Sequence, residues 1–137
     1  METREDYISF ETAKLMKEKG FDVPTYSVWV DHSKLVGCPA GISMFPNVEN
    51  WNAIDDGMSD IYFSAPTLQM AMKWLREVHK LHIVIDVHES YAYEPKIVFI
   101  WYVWNLNTHK KFTIINYSET FEQTCENAIM YCLTNLI

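Results

Sequence analysis

The feature that most constrains this chain is an amphipathic segment from Ser64 to His82. At about 100° per residue, its apolar side chains and two histidines form one face that covers well over half of the helical surface. This face consists of Leu68, Met70, Ala71, Met72, Trp74, Leu75, Val78, His79, Leu81 and His82. Pro66 fits near the first turn, where amides have no intrahelical partner to lose. The pattern predicts a core helix that other elements cover.

Length and composition predict one domain over residues 1–137. The chain is 49% hydrophobic and 15% aromatic, which is apolar enough to bury a core without a metal or a disulfide. Cys125 and Cys132 lie seven residues apart on one predicted helix, about 10 Å apart and too far for a bridge. At most one disulfide, to Cys38, can form, and buried free thiols in a reducing cytosol are the preferred interpretation.

The charge balance disfavours one class of partner. Eleven basic and eighteen acidic residues give this acidic chain a net charge of −7, which repels phosphate backbones, so duplex nucleic acid is not expected to bind. The first residues, METREDYISF, lack the apolar stretch of a signal peptide, and no run approaches a membrane span. We therefore expect a cytoplasmic protein that makes no membrane contact.

The second half of the chain predicts three strands and a closing helix. Residues 82–88 alternate like a half-buried strand, and residues 111–117 alternate likewise. Residues 97–104 (IVFIWYVW) have no polar side, which predicts a central strand covered on both faces or one whose second face is an exposed aromatic surface. Short connections favour an antiparallel meander. A capping box of Thr120 and Gln123 begins the last helix.

The first half is less regular. Ser9 caps a predicted helix over residues 10–19, and Gly20 ends it, with Phe21 folding back on Met16. Residues 26–30 (YSVWV) and 61–63 read as strands. Residues 31–60 carry too many glycines, prolines and asparagines for a long regular element, yet too many apolar side chains for a free linker. They predict a packed irregular excursion or a short hairpin.

Together these elements predict an α+β fold. It has a three-stranded or larger antiparallel sheet with two main helices on one face, a short N-terminal helix and an irregular middle excursion. The same order of helix, three strands and helix occurs in double-stranded RNA-binding domains, which need lysines at the start of the last helix. This chain has Glu119, Glu122 and Glu126 there, so duplex RNA binding is not expected.

Candidate metal sites are weak, and no cofactor is expected. Three aspartates, Asp55, Asp56 and Asp60, resemble part of a calcium loop, but the ligand spacing and the terminal glutamate are missing. A solvated acidic turn is preferred. Three histidines, His79, His82 and His88, lack the cysteine pair or the HExxH pattern that would complete a zinc site. Hydrogen-bonded core histidines are the preferred interpretation of His79 and His82.

Catalytic motifs are also lacking. The sequence has no GxSxG elbow, P-loop or Rossmann glycine fingerprint. Cys38 near His32 suggests a nucleophile and a base, but no third group orients them. We therefore expect a protein that acts by binding, and an enzyme of unknown type ranks third.

Aromatic richness is the strongest functional signal. The chain has five Trp and eight Tyr, and five of these residues cluster in sequence: Tyr91, Tyr93, Trp101, Tyr102 and Trp104. They predict either a core with a partly covered sheet face or a contact surface, since Tyr and Trp favour interfaces. The first functional hypothesis is a protein-interaction module, including a homodimer, that uses these aromatics or the excursion.

A second hypothesis belongs to another class. A small-ligand protein that sequesters a nucleotide would stack the base on a Trp or Tyr. Lys73 or Arg76 on the amphipathic helix would then meet the phosphate. Ligand-dependent thermal stabilisation separates this hypothesis from the first.

Three stretches of the chain resemble a known family. They are ISFETAKLMKEKGFDVPTY at residues 8–26, YFSAPTLQMAMKWLREVHKLHI at residues 62–83 and the aromatic strand with its final helix. These resemble small uncharacterised proteins encoded by phages and prophage-like elements of gut anaerobic bacteria, with KWLREVH as the family tag. The resemblance implies a context, a phage-encoded protein in an infected cytosol that binds a host protein or sequesters a small molecule. It implies no catalytic residue.

Overall fold

The computed structural model describes residues 6–34, 39–54, 61–92 and 94–137. The chain divides into two compact units, Met1–Thr67 and Leu68–Ile137, and each contains one three-stranded antiparallel sheet. The α+β class predicted from the sequence is confirmed. The sequence did not indicate that the strands of the first half form a sheet of their own. One domain over residues 1–137 stays a prediction.

The described residues form three α-helices and six strands. The helices are α1 (Phe10–Glu18), α2 (Leu68–Val78) and α3 (Phe121–Tyr131), and α3 continues as a π-helical turn, Cys132–Leu136. The strands are β1 (Thr25–Val30), β2 (Gly41–Glu49), β3 (Tyr62–Ser64), β4 (Leu81–Ser90), β5 (Lys96–Asn105) and β6 (Lys111–Ser118). Short 3₁₀ helices occupy His32–Lys34 and Trp51–Ala53. No helix in the described ranges combines the length and the apolar content needed to cross a membrane.

In the first unit, β1 lies between β2 and β3. One buried cluster of this unit contains Val28, Val30, Trp51 and Ile61. The Trp51 indole Nε1 donates to the Thr25 carbonyl at 2.7 Å, so the polar edge of this buried ring is satisfied. Asn52 joins the chain before β1 to β3. Its side-chain nitrogen donates to the Phe21 carbonyl, and its side-chain oxygen accepts from the Ser64 amide.

The ends of α1 are as predicted. The Ser9 hydroxyl accepts from the Thr12 amide and caps the first turn. At the other end, Gly20 has φ +87°, and the Phe21 amide donates to the Met16 carbonyl at 2.9 Å. Phe21 and Met16 are both buried. This is the Schellman arrangement, in which a left-handed glycine allows the chain to leave the helix.

In the second unit, β4, β5 and β6 form the predicted meander. β4 and β5 pair without interruption from Leu81↔Asn105 to Ser90↔Lys96. Ring contacts from Phe99 to Phe121 and from Trp101 to Tyr131 hold α3 on one face. α2 packs against α3 and β4. The two predicted main helices therefore cover the same sheet.

The predicted helix over Ser64–His82 is too long at both ends. Ser64 closes β3, and α2 runs only over Leu68–Val78. Lys80 has φ 58°, a left-handed conformation that no α-helix continues through. His82 consequently lies on β4 rather than one helical turn from His79, so the two histidines do not share a helix face.

The prediction that residues 31–60 contain no long regular element is wrong for residues 41–49. Gly41–Glu49 is a strand that pairs with β1 in antiparallel fashion, which agrees with the hairpin alternative. Pro46 is tolerated because β2 is an edge strand. It also lies between the ladder positions Met44 and Glu49, where the register is interrupted.

Candidate functional site

One face of the second sheet carries the main candidate site. Trp101 is on the side of α3, and side chains alternate along a strand. Tyr102 and Trp104 therefore belong to the opposite face, which we call the open face. Tyr102 is half-buried and Trp104 is 36% exposed. Of the two alternatives for residues 97–104, the structure favours a second face that is only partly covered.

A groove of about 370 Å³ lies on the open face. It is lined by His88, Ser90, Ile100, Trp101, Tyr102, Lys111, Thr113, Ile114 and Tyr117. The ladder between β5 and β6 shifts register there, from Ile100↔Tyr117 to Tyr102↔Thr113, which leaves Trp101 opposite three residues of β6. Bulges of this kind bend a strand and increase its twist. Residues on both sides of this register shift line the groove.

Lys111 is the cation of the groove. Its Nζ lies 4.2 Å from the centre of the Tyr102 ring and 5.7 Å from that of Trp104. Both distances fall within the range of a cation–π interaction, which holds the ammonium group at the aromatic surface. The open face thus places a positive charge beside two aromatic rings.

A second cavity of about 360 Å³ lies between α3 and β6. Its lining consists of Trp101, Ile114, Asn127, Met130, Tyr131, Thr134 and Asn135. Trp101 therefore contributes to both cavities. Its ring is 3% exposed, and its buried Nε1 has no hydrogen-bond partner among the described residues. An unpaired buried donor carries a desolvation cost.

The outer strand of the first sheet is a second candidate surface. Four apolar side chains of β2 are exposed: Ile42 (41%), Met44 (70%), Phe45 (39%) and Val48 (47%). Tyr26 on the neighbouring strand is exposed by 55%. Among the described strands, β2 pairs only with β1, so its other edge has no ladder partner there. This surface lies in the excursion that the first functional hypothesis named.

The structure brings together only some of the predicted site residues. Tyr102 lines the groove, and Trp104 lies beside it. Trp101 also lines it, but its ring is buried, so its prediction as an exposed contact residue is wrong. Tyr91 is 69% exposed after the end of β4, and Tyr93 lies outside the described residues.

The predicted phosphate contacts, Lys73 and Arg76, lie away from the groove, and their role stays a prediction. Lys73 and Arg76 lie on α2, which packs on the other face of the sheet, and neither lines the groove. The cation there is Lys111, which the sequence interpretation missed. Antiparallel pairing sets Lys111 directly opposite Trp104. Alignment of 97–104 with 111–117 across their short turn would have indicated this pairing.

The histidine and cysteine candidates have structural explanations. His79 packs edge-on against Trp74, with ring centres 4.6 Å apart, and burial lowers its pKa. Its buried Nε2 has no hydrogen-bond partner among the described residues, so the prediction of a hydrogen-bonded core histidine is wrong at this nitrogen. Within the described ranges, no group of three or more His, Cys, Asp or Glu side chains is placed to hold a metal ion. The aspartates Asp55, Asp56 and Asp60 lie outside those ranges.

Two cysteines are free and buried, as predicted. Burial raises the pKa of Cys125 to about 11 and that of Cys132 to about 12. Both thiols are therefore protonated at neutral pH and are poor nucleophiles. Cys38, which was considered as a nucleophile beside His32, lies outside the described residues.

Comparison with protein-family models, with curated proteins and with solved structures found no match.

Proposed function

We propose that this protein is a non-enzymatic binding protein that adds a strand of a partner protein to the outer edge of β2. The observation that carries the proposal is the combination of an edge without a ladder partner among the described strands and four exposed apolar side chains on the same strand. Strand addition uses both features, since the ladder supplies affinity and side-chain contacts supply specificity.

The composition of β2 supports this use of the edge. Proteins usually protect an exposed edge with lysines or other charges. Within GISMFPNVE, the sole charged residue is Glu49 at the far end. Pro46 has no amide hydrogen to donate, which makes residues 41–45 the segment best suited to pairing. On a protein with 18 acidic residues, an exposed apolar patch of this kind indicates a surface that a partner covers rather than one that stays in water.

The resemblance of residues 8–26 and 62–83 to phage-encoded proteins supports a host protein of the bacterial cytoplasm as the partner. The net charge of −7 favours a partner with a basic surface around the added strand. A second copy of the chain is the alternative occupant of the same edge, which would make the protein a homodimer.

The test is a pair of charge substitutions. Met44→Lys places a charge on the proposed edge, and Leu106→Lys is the control, since Leu106 is exposed by 45% in the other unit. Sedimentation velocity over a concentration series reports self-association, and quantitative capture from a bacterial lysate reports a foreign partner. Met44→Lys should abolish whichever association the wild type shows, and Leu106→Lys should preserve it.

Hydrogen exchange locates the contact. Amides of residues 41–45 should gain protection in the complex, because a new ladder reduces their exchange. A wild-type protein that is monomeric and captures no partner would overturn the proposal. So would a Met44→Lys variant that associates as well as the wild type.

A further inference from the structure

We propose that the groove on the open face is a binding site for a small aromatic anion, in which an oxyanion such as phosphate or carboxylate is joined to a flat ring. This site lies in the second unit and is independent of β2. The groove volume, about 370 Å³, is in the range that small-molecule sites occupy, roughly 300–1,000 Å³.

The charges that line the groove favour an anion, although Asp86 lies on the same face of the sheet, opposite Ile100. None of its nine lining residues is acidic, although the chain has 18 acidic residues. Lys111 lies in the lining and makes no ion pair with a described carboxylate, whereas Lys96 on the neighbouring strand is paired with Glu119. A positive charge beside aromatic rings that no described carboxylate pairs with suits an incoming oxyanion.

The hydrogen-bonding groups agree with that choice. Four residues with a side-chain hydroxyl, Ser90, Tyr102, Thr113 and Tyr117, line the groove together with His88. Each of these groups can donate to an oxyanion. Lysine and hydroxyl donors on one concave surface are the set that recognises phosphate or carboxylate oxygens.

The aromatic groups of the groove favour a flat ring on the ligand. Tyr117 is 57% exposed and lines the groove, so a face of its ring is available for stacking. Lys111 already lies over the Tyr102 ring. The ligand ring is therefore expected on Tyr117 and its oxyanion near Lys111. Stacking on tyrosine tolerates many flat rings, so the charge is the more selective element.

The experiment is a titration of the full chain, followed by NMR chemical shifts and calorimetry. The probes are AMP, the aromatic carboxylate 4-hydroxybenzoate, inorganic phosphate and the uncharged control adenosine. We expect AMP, 4-hydroxybenzoate or both to bind at least about tenfold more tightly than adenosine, since a charge-assisted hydrogen bond is worth about tenfold or more in affinity. The stronger of the two probes identifies the oxyanion as phosphate or carboxylate.

Matched variants locate the site. Lys111→Met removes the charge but keeps an unbranched side chain, and should weaken binding by about tenfold. Lys110→Met is the control, because Lys110 is the next residue, lies over Phe112 and does not line the groove. It should leave the affinity within about twofold. Tyr117→Ala should weaken the binding of an aromatic anion more than that of inorganic phosphate, because it removes the stacking ring together with only one of several donors.

Several outcomes would overturn the proposal. They are no binding of either aromatic anion by the folded wild type, binding of both anions no tighter than that of adenosine, or equal losses in the Lys111 and Lys110 variants. Circular dichroism confirms that each variant is folded. If Met44→Lys binds the aromatic anion as tightly as the wild type does, the groove acts separately from the proposed edge of β2.

Discussion

At the scale of single residues, two glycines of the first unit have different roles. Gly20 has φ +87°, and a Cβ added there would meet nothing within 4 Å. Gly20→Ala should therefore lower the free energy of unfolding by about 1–2 kcal/mol through backbone conformation alone. Chemical denaturation of the variant measures the effect.

Gly41 provides the control. It has no positive φ, and a Cβ there would lie 3.6 Å from His32, an ordinary contact distance. Alanine is also no worse than glycine in a strand. Gly41→Ala should therefore stay within about 0.5 kcal/mol of the wild type. Equal losses in the two variants would show that the left-handed backbone is not the source of the effect.

Helix caps show how far local sequence determines local structure. Ser9 and Thr120 were both predicted as N-caps, and both side chains accept the expected amide. The capping box at Thr120 is only half formed, because the Gln123 side chain donates to Asn127 instead of returning to the Thr120 amide. That amide donates to Ser118. Thr120 alone is enough to form the cap. The reciprocal bond from Gln123 is lost because Asn127, one turn away, competes for the same side chain.

At the scale of elements, the end of α2 depends on Lys80. Its φ of 58° is unfavourable for a residue with a Cβ. Lys80→Gly should raise the free energy of unfolding by about 0.5–1 kcal/mol, because glycine adopts this conformation without strain. The variant also loses the exposed hydrogen bond that the Lys80 Nζ donates to the Glu77 carbonyl, but this loss is smaller than the gain in backbone conformation. Thermal and chemical denaturation measure the gain.

The same substitution inside α2 should have the opposite sign. Lys73 is exposed in the interior of the helix, where glycine costs about 1 kcal/mol relative to ordinary helix formers. Lys73→Gly should therefore destabilise the protein. A loss of stability in both variants would contradict a strained helix end at Lys80.

The elements that were predicted well are those whose pattern is local. The meander and α1 follow from alternation, caps and a glycine stop. The length of α2 was overestimated because Val78, Leu81 and the two histidines at 79 and 82 fit the helical period, although 81 and 82 begin a strand. β2 was left open between an irregular excursion and a short hairpin because Gly41 and Pro46 argue against a strand, and only its place at the sheet edge makes Pro46 acceptable. The groove depends on the register shift opposite Trp101, which has no local signal.

At the scale of the whole molecule, the two units differ in their titratable groups. The described residues whose pKa is shifted by burial as the first cause are His79, Cys125 and Cys132. All three lie in the unit Leu68–Ile137. The pH dependence that these groups give to stability therefore belongs to the second unit, which also carries the groove.

The signs of these shifts predict a window of maximum stability. Burial lowers the pKa of His79 below its usual 6.5, so its stabilising contribution is present above about pH 6.5 and is lost as the pH falls through the folded-state pKa. Burial raises the pKa values of Cys125 and Cys132 from 9 to about 11 and about 12. Their contribution is complete below pH 9 and is lost as the pH rises toward those values.

Two variants assign the limits of the window. His79→Phe keeps an aromatic ring against Trp74 without a titrating group, and should flatten the loss of stability below pH 6.5. Cys132→Ala should flatten the loss between pH 9 and 12, while the shortened side chain lowers stability at every pH. The slope of the thermal midpoint against pH is therefore the quantity to compare, not its level. If both variants kept the wild-type slopes, groups other than His79 and Cys132 would have to set the limits, with Cys125 the remaining buried group of the second unit.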